Sequence, residues 1–126
     1  MSLVYFPTDC GHAPKKLFLK EWYLALAQEN EAFLQHQLMD NATWQLAGSV
    51  AVFDHQHWQQ ALLSHHIGRL QTMHIEKMIT HGPTAAVSGQ LLTQDNRCYL
   101  FCDLFSFKSA SSNLIQAVTS FRTEQV

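Results

Sequence analysis

One ten-residue run, Cys98–Phe107 (C-Y-L-F-C-D-L-F-S-F), constrains this chain more than any other stretch. In an extended strand, side chains alternate between two faces. One face then carries Tyr99, Phe101, Asp103, Phe105 and Phe107, and the other Cys98, Leu100, Cys102, Leu104 and Ser106. Both faces are apolar, which predicts a strand buried on both sides. Asp103 is the exception. A carboxylate among aromatic rings is costly to ionise and must be paired, solvated or neutral. It is either a structural residue that caps a turn or bonds nearby backbone, or the polar anchor of a pocket.

The chain has 126 residues, enough for one domain, 1–126, with a core of its own. Hydrophobic residues make up 47% and charged ones 14%, so part of the apolar surface is expected to meet a partner or line a cavity. The net charge of −2 comes without a basic stripe, which argues against nucleic acid as a partner. No apolar run reaches membrane-spanning length, and M-S-L-V-Y-F-P-T-D-C has no basic residue ahead of its apolar part, so neither a membrane anchor nor a secretory leader is expected. Cys98 and Cys102 would share one strand face about 13 Å apart, too far for a disulfide. With Cys10 they read as free thiols of a cytoplasmic protein.

Along the chain, residues 1–12 read as an arm and Pro14 as the first turn of a helix. Phe18, Trp22, Ala25 and Leu26 recur at helical spacing, flanked by Leu19 and Tyr23. Asn30 can cap a second helix, Glu31–Met39. Asp40-Asn41 is a turn signal, and Ala42–Ala47 alternates as a strand with Ala42, Trp44 and Leu46 on its buried face. Asp54 can cap a third helix, stapled by Phe53 and Trp58 and ending at Gly68. Four strands follow: Leu70–His81, Ala85–Thr93 with a bulge or close approach at Gly89, Cys98–Phe107 and Leu114–Thr123. Helices followed by hairpin-linked strands mean α+β, a curved antiparallel sheet with the helices closing its concave side. No helix remains for the convex side, where Leu100, Cys102 and Leu104 lie, so a second copy of the chain is expected there.

This order resembles the nuclear transport factor 2-like superfamily, and within it the SnoaL-like and ketosteroid-isomerase-like branch. The resemblance spans nearly the whole chain and is carried by L-A-L-A-Q-E-N, L-M-D-N-A-T-W-Q-L and F-C-D-L-F-S-F together with the element order. It implies a cone-shaped α+β barrel with a deep pocket, commonly dimeric through the sheet. Ketosteroid isomerases pair a carboxylate base with an oxyanion hole made of a helix tyrosine and a protonated sheet aspartate, the neutral-acid case that serves as a standard example. The resemblance puts Asp103 at the sheet aspartate, Leu46 at the base and Trp22 at the tyrosine. Leucine cannot take a proton, so steroid-type isomerisation is not expected. Trp22 keeps an indole donor; Tyr23, one residue on, is turned about 100° away by helical geometry.

The eight histidines show no convergent spacing: His55-x-His57 and His65-His66 diverge on a helix, so no metal is expected, and no cofactor motif is present. His74 and His81 are candidate acid–base partners if they face the pocket. Ser64 and Ser88 lack the strained turn of a nucleophile. The expected site is an apolar pocket for a small hydrophobic, carbonyl-bearing molecule. Its walls are Trp22, Leu26, Trp44, Leu46, Tyr99, Phe101 and Phe105, and its anchor is Asp103, protonated or strongly hydrogen-bonded. Three roles remain open: a binding protein, an isomerase, cyclase or dehydratase using Asp103 as acid or oxyanion donor, or a dimeric interaction module with a vestigial pocket.

Overall fold

Pro14 opens helix α1 (Pro14–Ala27) at the position where its missing N–H costs nothing. A computed structural model describes the chain over residues 3–7, 13–48, 52–54 and 70–125. A short helix α2 (Glu31–His36) follows, and its Asn30 cap accepts a hydrogen bond from the Phe33 amide at 3.2 Å, as the sequence predicts. With β1 (Leu3–Tyr5), β2 (Leu38–Leu46), β3 (Val52–Asp54), β4 (Leu70–His81), β5 (Thr84–Thr93), β6 (Cys98–Phe107) and β7 (Ile115–Gln125), the elements form an α+β fold around one sheet. The strand order is β1-β4-β5-β6-β7-β2-β3. β4 to β7 run antiparallel as a series of hairpins, while β1 on β4 and β2 on β7 are parallel.

Three local expectations change. Residues 3–5 are a strand beside β4, where the sequence predicts an arm. The second helix stops at His36, and Leu38 already pairs with Ile115. Asp40 and Asn41, a predicted turn, lie inside β2, where the β2–β7 register shifts between Leu38 and Thr43. In all three places the hydrogen bonds of a long neighbouring strand outweigh local propensity, as they do when the alternative leaves backbone groups unpaired. Val52–Asp54 pairs with β2 as a strand; the predicted third helix beyond Asp54 lies outside the described residues.

The inner face of β6 is the one the alternation predicts: Tyr99, Phe101, Asp103, Phe105 and Phe107 are all buried. α1 lies across it. Phe18 meets Phe107 edge-on at 5.8 Å, Trp22 meets Phe105 at 6.2 Å, and Tyr23 sits 6.0 Å from Phe101 and 6.2 Å from Phe105. Burying each such ring contributes about 1.5–3 kcal/mol. In the first turn of α1, Lys15 is buried against the Phe107 ring, and its ammonium donates to the Ser112 carbonyl at 2.5 Å, fastening the loop before β7. Gly89 is a close approach, as expected: a Cβ there would stand 2.0 Å from the His74 carbonyl oxygen.

The outer face, for which the sequence reading calls on a second copy, is open in a single copy of the chain. Leu100 and Leu104 are 41% and 44% exposed, Phe121 on the neighbouring β7 is 44% exposed, and Ile79 on β4 is 61% exposed. Within one copy of the chain, no described residue covers them.

Candidate ligand pocket

The pocket opens between α1, β2 and the paired strands β6 and β7, and its cavity volume is about 30 Å³. Trp22 and Leu26 come from one face of α1, one turn apart. Leu38, Ala42, Thr43 and Trp44 come from β2, Asp103 from β6, and Val118, Ser120 and Arg122 from β7. Strand register explains the last group. Asp103 pairs with Ser120 and Phe101 with Arg122, so all four share the inner face.

Asp103 is 4% exposed. Its Oδ2 accepts a hydrogen bond from the Tyr23 hydroxyl at 2.6 Å, in the range of a strong O–H···O⁻ bond. Burial raises the Tyr23 phenol well above its ordinary pKa, helped by the charge of Asp103 and the hydrogen bond to it; the nearby Arg122 charge opposes the shift. Tyr23 is therefore a lasting donor that holds the carboxyl group in one orientation. The other oxygen, Oδ1, is buried and has no hydrogen-bond partner, and the same is true of Arg122 Nε. An unsatisfied buried polar atom costs about 1–3 kcal/mol. Beside this pair, the Trp44 indole donates to Ser120 Oγ at 2.8 Å.

Of the predicted walls, Trp22, Leu26 and Trp44 line the pocket together with Asp103. Tyr99, Phe101 and Phe105 are buried in the adjoining core, and Leu46, at the end of β2, is half-buried against that core. Trp22 and Asp103 share the pocket lining, and the orientation of Tyr23 is corrected by the geometry: its hydroxyl reaches the carboxyl, although the sequence reading turns it away. A helix lying in the hollow of a sheet buries more than 100° of its circumference, so the neighbours Trp22 and Tyr23 both point inward, toward different parts of β6. His74 and His81 do not face the pocket. Both are exposed, and His74 stacks on the Tyr5 ring at 4.7 Å, because Met73, Ile75 and Met78 take the inner face of β4. Arg122 is the pocket residue that sequence reasoning left at the margin; its place in the alternation after Val118 and Ser120 is the signal for it.

No family model and no curated protein matches the sequence. Solved structures do. A proposed ketosteroid isomerase from Kribbella flavida superposes with a TM-score of 0.74 at 16% identity, over 89% of this chain and 79% of that one. A nuclear transport factor 2-like protein of unknown function from Burkholderia xenovorans gives 0.74 at 15% identity, over 89% and 84%. A proposed SnoaL-like polyketide cyclase from Shewanella denitrificans gives 0.73 at 11% identity, over 89% and 92%. At these identities the likeness is one of fold.

Proposed function

We propose that this chain, whose fold is that of the nuclear transport factor 2-like proteins, binds a small and largely apolar molecule by its polar end. The observation that carries the reading is Asp103: a buried acid in the lining of a pocket, with one oxygen held by Tyr23 and the other buried without a partner. A folded chain tolerates such an atom where a ligand or an ordered water completes it. Trp22, Leu26, Trp44 and Val118 supply the apolar contact. The test is a titration with small cyclic ketones and phenols followed by NMR. Shifts should concentrate at the Trp22 and Trp44 indoles and around Asp103, and Asp103→Leu should weaken phenol binding at least tenfold. If no compound perturbs these signals at millimolar concentration, the reading falls.

A second reading is catalytic, and the same carboxyl group favours it. An acid fixed by a phenol and free at its other oxygen has the form of a general acid or base, and the similar structures include a proposed isomerase and a proposed cyclase. Leu46 offers no base, so β,γ-unsaturated ketones should not be isomerised. Exchange of ketone α-protons in deuterated water, lost in Asp103→Leu, is the activity to look for. The open outer face of the sheet belongs to this reading as the seat of a second copy of the chain, because its exposed Leu100, Leu104 and Phe121 are grouped on neighbouring strands.

A further inference from the structure

The pocket carries two bare polar atoms of opposite kind, and together they specify what a ligand must present. Asp103 Oδ1 accepts and Arg122 Nε donates; both are buried, and both residues line the same pocket. Asp103 is opposite Ser120 and Arg122 is opposite Phe101, so the two are diagonal neighbours on β6 and β7. Diagonal neighbours stand about 7–8 Å apart along the sheet. They form no ion pair with each other, and Tyr23 already occupies the other carboxyl oxygen.

Resting on the ligand-binding reading above, we propose that the ligand is a neutral flat lactam or amide whose N–H donates to Asp103 Oδ1 while its adjacent C=O accepts from Arg122 Nε. Both bonds are then assisted by a protein charge, which roughly doubles the strength of a neutral pair. A ketone satisfies Arg122 alone and leaves the acid bare. A carboxylate offers two acceptors and meets Asp103 as a like charge. The guanidinium and the carboxylate cancel one another, so a neutral group suits the site. Trp22 and Trp44 in the pocket lining suit a flat ring.

The experiment compares three probes by NMR titration: 2-pyridone, N-methyl-2-pyridone, which keeps shape and carbonyl but loses the donor, and cyclohexenone, which has a carbonyl only. We expect 2-pyridone to bind at least tenfold more tightly than either of the others. The gap should shrink to less than threefold in Arg122→Leu and in Arg122→Gln, with cyclohexenone binding serving as the check that each variant keeps its pocket. Equal affinity for 2-pyridone and its N-methyl form, or a gap that survives both variants, overturns the lactam proposal and leaves the pocket reading standing. Tighter binding of benzoate than of 2-pyridone also overturns it, in favour of an acidic ligand. Binding by none of the probes overturns both.

Discussion

Two polar pairs lie side by side on the pocket wall, and they are finished differently. Ser120 and Asp103 are cross-strand partners on β7 and β6. Ser120 Oγ accepts from the Trp44 indole, a closed contact that ties β2 to β7. Asp103 is closed on one side only: Tyr23 ties it to α1, while Oδ1 and the neighbouring Arg122 Nε stay bare. The first pair joins elements; the second joins elements and also leaves a buried acceptor and, nearby, a buried donor without partners. A chain selected for stability alone gains by completing or removing such atoms, since each costs about 1–3 kcal/mol. The contrast therefore separates the part of the wall that holds the fold from the part that is open to a ligand.

The largest effect should come from the wall that both pairs lean on. Phe105 is 2% exposed and packs its ring against both Trp22 and Tyr23. Phe105→Ala should cost about 3–5 kcal/mol in urea unfolding, and a loss below 1 kcal/mol would mean that α1 is not seated on β6. Next is Tyr23→Phe, which strips Asp103 of its remaining hydrogen bond and should cost about 1–3 kcal/mol. The double variant Tyr23→Phe/Asp103→Leu should recover much of that loss, because removing both partners leaves nothing orphaned. A double variant worse than Tyr23→Phe alone would show that the carboxyl group stabilises the fold by other means.

The same hydrogen bond has a pH signature. The Tyr23 phenol is raised in the folded chain, so above about pH 10, where an unfolded tyrosine ionises, the folded state holds more protons than the unfolded one. Its contribution is complete below that pH and is lost as pH rises toward the folded value. Wild-type stability should fall more steeply above pH 10 than that of Tyr23→Phe; parallel alkaline profiles would count against the Tyr23–Asp103 bond. Ser120→Ala, on the closed side, should cost only about 1 kcal/mol and leave ligand affinity within twofold. A tenfold loss of affinity there would erase the distinction between the two pairs.

Smallest for the fold is a change on the outer face. Leu104 is 44% exposed, so Leu104→Glu should alter the stability of a single copy by less than about 0.5 kcal/mol. If the outer sheet face is the seat of a second copy, sedimentation should show the wild type as a dimer and this variant as a monomer. A monomeric wild type at micromolar concentration would leave that face without the proposed partner.

Much of this was legible because it depends on alternation. The period of two along Cys98–Phe107 sorts its residues into the face that is buried and the face that is not, and the same period places Ala42 and Trp44 inward on β2. Periodicity also made α1 legible, and the boundaries of β4 and β6 follow from it directly. Where pairing with a distant strand decided the outcome, local signals failed: Asp40-Asn41 became part of β2, and residues 3–5 became an edge strand.

By itself, then, the sequence determined the α+β class, the inner face of β6 and the acid at its centre, since these follow from side-chain spacing and the cost of burying charge. Only the tertiary structure decided that Tyr23 holds Asp103, that Arg122 stands beside it, and that His74 looks outward. The reason is physical. How far a helix sinks into a curved sheet, and which diagonal neighbours meet across two strands, depend on register and packing between segments some 80 residues apart, as with the Tyr23–Asp103 bond. No local pattern carries that information.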